Sequence, residues 1–179
     1  MPEIEIRPAI ATDISALMAL EHNYSSEYVW QMNVRRAGSE VRITFREVHL
    51  PRSVQVMYPR DPQSLACNWT KRGSLLVAVL DGEPVGYISL TQNTPLKDTW
   101  ATDLAVMRRL RRQGIGNALV LSAQEWATQH NSQRLILEMQ PKNYPAIQLA
   151  QKLGFEFCGY NDHYFANHDI ALFFSKWLR

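Results

Sequence analysis

The order of segments in this 179-residue chain predicts a mixed α/β fold, and three observations carry the prediction. The second half alternates strand-like and helix-like stretches. The first half twice alternates apolar and polar residues around a turn dipeptide, the pattern of a β-hairpin. A glycine turn, Arg111-Arg112-Gln113-Gly114-Ile115-Gly116, joins an apolar strand to a helix.

Residues 3–7 alternate and predict a short strand. Thr12 stands as a helix cap ahead of Ile14, Leu17 and Met18, which recur at helical spacing. From Tyr28 the period becomes two. Trp30, Met32 and Val34 alternate with polar residues, Ala37-Gly38 turns the chain, and Val41, Ile43 and Phe45 alternate again, so a hairpin is predicted near residues 28–49. Residues 50–69 hold Pro51, Pro59 and Pro62 and read as an irregular excursion. Residues 74–80 and 84–90 predict a second hairpin across Asp81-Gly82.

Leu104-Ala105-Val106 is the strand before the glycine turn, and a helix follows to about residue 129, with Ile115, Ala118, Leu119, Val120, Ala123 and Trp126 on its apolar face. Residues 134–139 predict a buried strand. Asn143 caps the next helix, with Pro145 in its first turn and Gly154 as its stop. Residues 155–160 and 169–177 read as two closing strands. The chain shows no repeat and no low-complexity tract, and its length fits one core, so a single domain over 1–179 is expected.

Hydrophobic residues make up 46% and charged residues 20%, and the net charge of +2 gives no ground for nucleic acid or an anionic membrane as partner. No apolar run approaches the ~20 residues of a membrane span. The first residues are acidic where a signal peptide is basic. Cys67 and Cys158 stand in no metal or redox spacing and read as free thiols, so a reducing, cytoplasmic setting is expected.

Two glycines at a helix N-terminus form an anion cradle, because backbone N–H groups there lack partners and the missing side chains let a phosphate approach. Arg109, Arg111 and Arg112 add positive charge. A P-loop would need Lys and Ser/Thr after the second glycine, where Asn117-Ala118 stands. A dinucleotide fingerprint would need a small residue where Leu119 stands. The remaining pattern is the Arg/Gln-x-x-Gly-x-Gly turn that binds the pyrophosphate of coenzyme A.

Four pieces in order then resemble the GNAT superfamily of N-acetyltransferases, well over residues 100–175 and loosely before them. Asp103-Leu104-Ala105-Val106 resembles its fourth strand, and residues 111–116 its pyrophosphate loop. Leu135-Ile136-Leu137-Glu138-Met139 resembles its fifth strand. Asn143-Tyr144-Pro145-Ala146 with Lys152-Leu153-Gly154-Phe155 resembles its "Asn-x-x-Ala … Lys-x-Gly-Phe" segment. The C-terminal half is further similar to streptothricin-type antibiotic acetyltransferases. The resemblance implies a largely antiparallel sheet flanked by helices and splayed between the fourth and fifth strands, with the 28–49 hairpin as an insert where a second helix is usual.

It also implies acetyl-coenzyme A as co-substrate. Leu104, Ala105 and Val106 would carry the pantetheine arm, with Asn143 touching it. Arg111, Arg112, Gln113, Gly114, Ile115, Gly116 and Asn117 would hold the pyrophosphate. The Val106 N–H would meet the thioester oxygen. Asp103 is a candidate base, or else a structural carboxylate at a strand start. Ala150 stands where the family has a proton-donating tyrosine, which leaves Tyr144, Tyr160 and Tyr164 as candidate acids, or solvent, or a chain that binds coenzyme A without turnover.

The acceptor implied is a primary amine on a small molecule. A protein N-terminus or lysine is the second reading, and a non-catalytic coenzyme A-binding module the third. Dimerisation through the C-terminal strand goes with the family. His163 and His168 lack a third ligand at metal spacing, so no metal is expected. Trp30, Trp69 and Trp100 are either packing residues or an ammonium cage; a pocket between Trp30, Phe45, Trp100 and Tyr164 would favour a small acceptor, and their scattering would count against one. Arg35, Arg36, Arg42 and Arg46 read as the hairpin's solvated face.

Overall fold

The computed structural model describes residues 3–71 and 73–179. Nine strands and four helices follow one another as β1 (Ile4–Pro8), α1 (Ile14–Met18), β2 (Tyr24–Ala37), β3 (Glu40–Val56), α2 (Leu65–Asn68), β4 (Ser74–Leu80), β5 (Glu83–Asn93), β6 (Asp98–Val106), α3 (Ile115–Gln129), β7 (Arg134–Met139), α4 (Tyr144–Lys152), β8 (Glu156–Asn161) and β9 (Ala171–Trp177) among the described residues. Seven strands form one sheet in the order β1-β4-β5-β6-β7-β9-β8, and β2 with β3 forms a separate ribbon. The mixed, mostly antiparallel α/β architecture expected from the sequence is therefore present.

Both faces of the sheet's centre are covered, which is why β4 and β5 read as apolar runs. On one face α3 lays down Ile115, Leu119, Val120, Ala123 and Ala127 at helical spacing, and α4 adds Ile147 and Ala150. On the other, Ile14 and Leu17 of α1 and Leu65 of α2 pack on Leu75, Val77 and Tyr87. Asp13, rather than Thr12, anchors the start of α1; its carboxylate accepts from the Ile10 N–H at 2.9 Å and pairs with Arg7 at 2.7 Å. Strands β5 and β6 approach so closely that a Cβ on Gly86 would lie 2.8 Å from the Ala105 carbonyl oxygen, so this position requires glycine.

The 28–49 hairpin is part of a longer ribbon. Strand β3 continues to Val56, past Pro51, into a stretch that the prolines make look irregular. The register jumps from Tyr28↔His49 to Ser26↔Val54, so residues 50–53 bulge out of the ladder and the missing N–H of Pro51 breaks no hydrogen bond. Trp30 and Phe45 seat the ribbon's base on Phe157, Tyr160 and Phe174. Arg35, Arg42 and Arg46 share its polar face with Gln31, Asn33 and Thr44. Arg36 pairs with Val41 on the opposite face.

Strand β6 also begins earlier than its apolar end predicts. Asp98 and Thr99 are buried polar residues whose partners are distant in sequence. Arg134 pairs with Asp98 at 2.7 Å, and Ser132 meets Thr99 at 2.6 Å. The two cysteines are free and exposed, and no described helix is long and apolar enough to cross a membrane.

Candidate active site

The site forms where the sheet comes apart. Strands β6 and β7 run parallel and pair from Asp98↔Arg134 to Ala101↔Leu137, then diverge. Thr102 is an extra residue in β6, since Ser89 faces Asp103 while Leu90 faces Ala101, and this bulge turns the end of the strand outward. The Met107 N–H donates to the Val85 carbonyl at 2.7 Å, so by alternation the backbone polar groups of Leu104 and Val106 point away from β5 into the gap. No described strand lies opposite them there. An extended amide-bearing chain can pair with that edge as a strand would.

At the outer end of this edge lies the glycine turn. Gly114 caps α3 with φ 90°, in the left-handed region, and Arg112 also has a positive φ of 66°. This geometry leaves the first N–H groups of α3, at Ile115, Gly116 and Asn117, without helical acceptors and facing an electropositive mouth built from Arg108, Arg111 and Arg112. Arg109, expected there, does not line the mouth. Arg111, which lines the mouth, also makes contacts within the chain. Its Nε donates to the Val106 carbonyl at 2.9 Å, and its two terminal nitrogens donate to the carbonyls of Asn23, at 2.9 Å, and Glu21. It thereby staples the α1–β2 connection to the end of β6. Gln113 donates to the Arg109 carbonyl at 3.3 Å.

The split is a cavity of about 900 Å³, lined by Leu104, Ala105, Val106, Gly114, Gly116, Asn117 and Asn143 among others. Asn143 also caps α4, its Oδ1 accepting from the Ala146 N–H at 3.2 Å. At the inner end Asp103, 7% exposed, accepts from the Tyr58 hydroxyl, from Thr102 Oγ1 at 3.0 Å and from Arg60 at 3.4 Å. Arg60 reaches across the gap, donating to the Thr102 carbonyl at 2.8 Å and to Glu138 of β7. Glu138 Oε2 accepts from the Tyr164 hydroxyl at 3.0 Å. The guanidinium rests 5.1 Å from the Phe165 ring centre. Burial pushes the Glu138 carboxyl above its ordinary value, against the pull of Arg60 and Tyr164. Burial and the adjacent Asp103 push the Tyr58 hydroxyl well up, so it stays protonated.

Tyr58 and Arg60 come from the stretch that the prolines mark as irregular, and no motif signals them. Glu138 lies within the strand pattern already read, but its burial is a tertiary property. Of the tyrosines expected as acids, Tyr164 joins the network through Glu138. Tyr144 packs at a tilt against Tyr28, ring centres 4.5 Å apart, Tyr160 packs edge-on against Phe45 at 5.3 Å, and neither lines the cavity. Ala150 is wholly buried in the core. The tryptophans are apart and build no cage: Trp30 sits under the ribbon, Trp69 beside α1, and Trp100 edge-on to Phe173. Consequently Trp30, Phe45, Trp100 and Tyr164 do not enclose a common pocket; Tyr24, Tyr58 and Phe165 supply the cavity's aromatic wall. No group of three or more His, Cys, Asp or Glu among the described residues is arranged to hold a metal.

Residues 43–155, including the split, its edge and the glycine turn, match the Acetyltransferase (GNAT) family. This chain belongs to that family. It is 26% identical over 160 residues to streptothricin acetyltransferase of Streptomyces lavendulae, a match covering 87% of this chain and 82% of that protein. It is 35% identical over 109 residues to an N-alpha-acetyltransferase of Sulfurisphaera tokodaii, covering 55% of this chain and 65% of that protein, just under two thirds of its length. Among solved structures, nourseothricin acetyltransferase superposes with a TM-score of 0.82 at 24% identity over 98% of this chain and 99% of its own. A Bacillus anthracis protein solved in complex with acetyl coenzyme A superposes with a TM-score of 0.75 at 18% identity, over 98% of this chain and 100% of its own.

Proposed function

We propose that this GNAT protein moves an acetyl group from acetyl-coenzyme A to a primary amine on a small cationic molecule, with residues 1–179 working as one acyltransferase domain. The observation that carries the reading is the continuity of the split: an anion cradle, an unpaired strand edge and a buried pair of carboxylates follow one another along a single cavity. The α3 N–H groups at residues 115–117 suit the pyrophosphate. The edge at Leu104 and Val106 suits the pantetheine amides and brings the thioester to Asp103 and Glu138.

The reaction joins the amine nitrogen to the thioester carbonyl carbon and breaks the carbon–sulfur bond. The acceptor's ammonium must first lose a proton, and the sulfur leaves with one. Two carboxylates face one guanidinium, so the inner end of the cavity carries a net negative charge that draws an ammonium. Asp103 accepts hydrogen bonds from Tyr58, Thr102 and Arg60. Glu138 stands across the gap on β7, where burial raises its carboxyl above the ordinary value, and we assign it the base role. A backbone N–H on the open edge, at Leu104 or Val106, is the donor for the developing oxyanion.

A small acceptor is supported by the extent of the streptothricin acetyltransferase match, 87% of this chain, against 55% for the N-alpha-acetyltransferase. A protein α-amine is the second reading, favoured by the higher local identity of 35% to that relative. The test is thiol release from acetyl-coenzyme A with two panels, small polycationic amines and peptides with free N-termini. Turnover confined to the first panel is expected. Turnover confined to peptides would replace this reading with the second.

A further inference from the structure

Arg60 touches both carboxylates at the inner end of the split. It lies beyond Ala101↔Leu137, where the strands have parted and no backbone bond links β6 to β7. The side chains of Asp103 and Glu138 are 6% and 0% exposed, whereas that of Arg60 is 27% exposed. The guanidinium therefore covers both carboxylates and shows its outer side to the cavity. The groups facing it from every packed element are Asp103 and Thr102 of β6, Glu138 of β7, Tyr58 beside it in sequence, and Phe165 and Tyr164 from the β8–β9 connection.

Two carboxylates and an aromatic face are the ingredients of a cation site. Here the site is filled by the chain's own cation. The residue is delivered by a stretch outside the strands and helices, residues 57–61, tied down by the Tyr58 N–H to Asn23 Oδ1 at 2.8 Å and by the contacts of Tyr58 and Arg60 themselves. Neither carboxylate can meet an incoming amine while the guanidinium stays in place. We propose that Arg60 is a specificity-determining residue that holds the acceptor's cation site, and that an ammonium or guanidinium of the acceptor takes its place as residues 57–61 withdraw. An acceptor with a second cation can displace Arg60 with one group and present the other as the reacting amine, so the gate selects polycationic acceptors. This inference rests on the acetyl-transfer reading for its biological meaning, but the site itself can be tested without turnover.

The experiment compares the wild-type protein with Arg60→Met, using methylguanidinium as the probe and thermal shift and titration calorimetry as readouts. Binding is expected to Arg60→Met and not to wild type, and Arg60→Met/Glu138→Gln should lose it. In steady state, Arg60→Met should lower KM for a cationic amine about tenfold, because the site no longer has to be vacated. Methylguanidinium should then compete with the amine, while KM for acetyl-coenzyme A is unchanged. Equal, absent binding of the probe to both proteins would overturn the proposal. So would a loss of kcat in Arg60→Met that methylguanidinium restores, which would make Arg60 a brace for the two carboxylates. Should Arg60→Met not fold, Arg60→Lys carries the same binding test, since an ammonium meets one carboxylate and leaves the other for the probe. Failure of wild type to turn over any amine would overturn the transferase reading alone, and probe binding would still decide the gate.

Discussion

Ala101 and Leu137 are the last partners in the parallel ladder between β6 and β7, and the whole candidate site lies beyond that pair. The bulge at Thr102 and the polar Asp103 end the pairing on one strand, and the buried Glu138 ends it on the other. Pairing further would carry Asp103 and Glu138 into the ladder and close the edge at Leu104 and Val106. The separation that costs the sheet its hydrogen bonds supplies the cavity.

Gly114 should be intolerant of substitution for two separable reasons. Its φ of 90° costs a side chain about 1–2 kcal/mol, so Gly114→Ala should lower the melting temperature slightly. Nothing lies within 4 Å of an added Cβ, so the fold has room for Gly114→Glu, but its carboxylate would stand at the anion cradle. Calorimetry should show acetyl-coenzyme A affinity reduced at least tenfold more by Glu than by Ala, a difference of about 1.4 kcal/mol.

Arg111→Met should destabilise the protein and weaken cofactor binding together. The substitution strips a donor from the part-buried Val106 carbonyl, at a cost of about 1–3 kcal/mol, and frees the exposed Glu21 and Asn23 carbonyls to water. Denaturant unfolding would register the loss. Hydrogen exchange should rise at residues 20–24, which the guanidinium holds.

Burial lowers the His22 imidazole below its ordinary 6.5, with Nδ1 on the Leu20 carbonyl at 2.7 Å and Nε2 on the Tyr87 hydroxyl at 3.0 Å. The unfolded chain therefore takes up a proton that the folded one resists. Stability from this group is complete above about pH 6.5 and is lost as pH falls from there through the depressed folded value. His22→Gln should flatten the stability profile over that window in melts at a series of pH values.

For Glu138 the sign is reversed. Its folded carboxyl sits above the ordinary 4.5, so it favours the folded state below 4.5 and withdraws that contribution as pH rises through the folded value. Activity runs the other way, because a base must be ionised. The acid limb of kcat/KM should fall at a pH above the usual glutamate range and disappear in Glu138→Gln. A limb that persists in that variant would assign it to another group.

The strand–helix order, the 81–82 turn and the glycine cradle were legible because each depends on neighbouring residues. Asp81 and Gly82 both adopt positive φ, as a two-residue hairpin turn demands. Asp98 and Thr99 concealed the first half of β6, since a buried polar residue looks exposed until its partner 33 or 36 positions away is known. Pro51 concealed the end of β3 because a bulge that tolerates proline leaves no local pattern. Asp103 was found from its place in a motif. Tyr58 and Arg60 meet it only through tertiary packing, 45 and 43 positions along the chain, and no periodicity connects them.

The most direct test of the account is thiol release from acetyl-coenzyme A with a cationic amine, measured for wild type and Glu138→Gln alongside acetyl-coenzyme A affinity for both. Turnover by wild type, a kcat about 10²–10⁴-fold lower in the variant, and equal cofactor affinity are expected. Undiminished turnover in Glu138→Gln would contradict the base assignment, and cofactor binding without turnover on any amine would leave a coenzyme A-binding module in place of an enzyme.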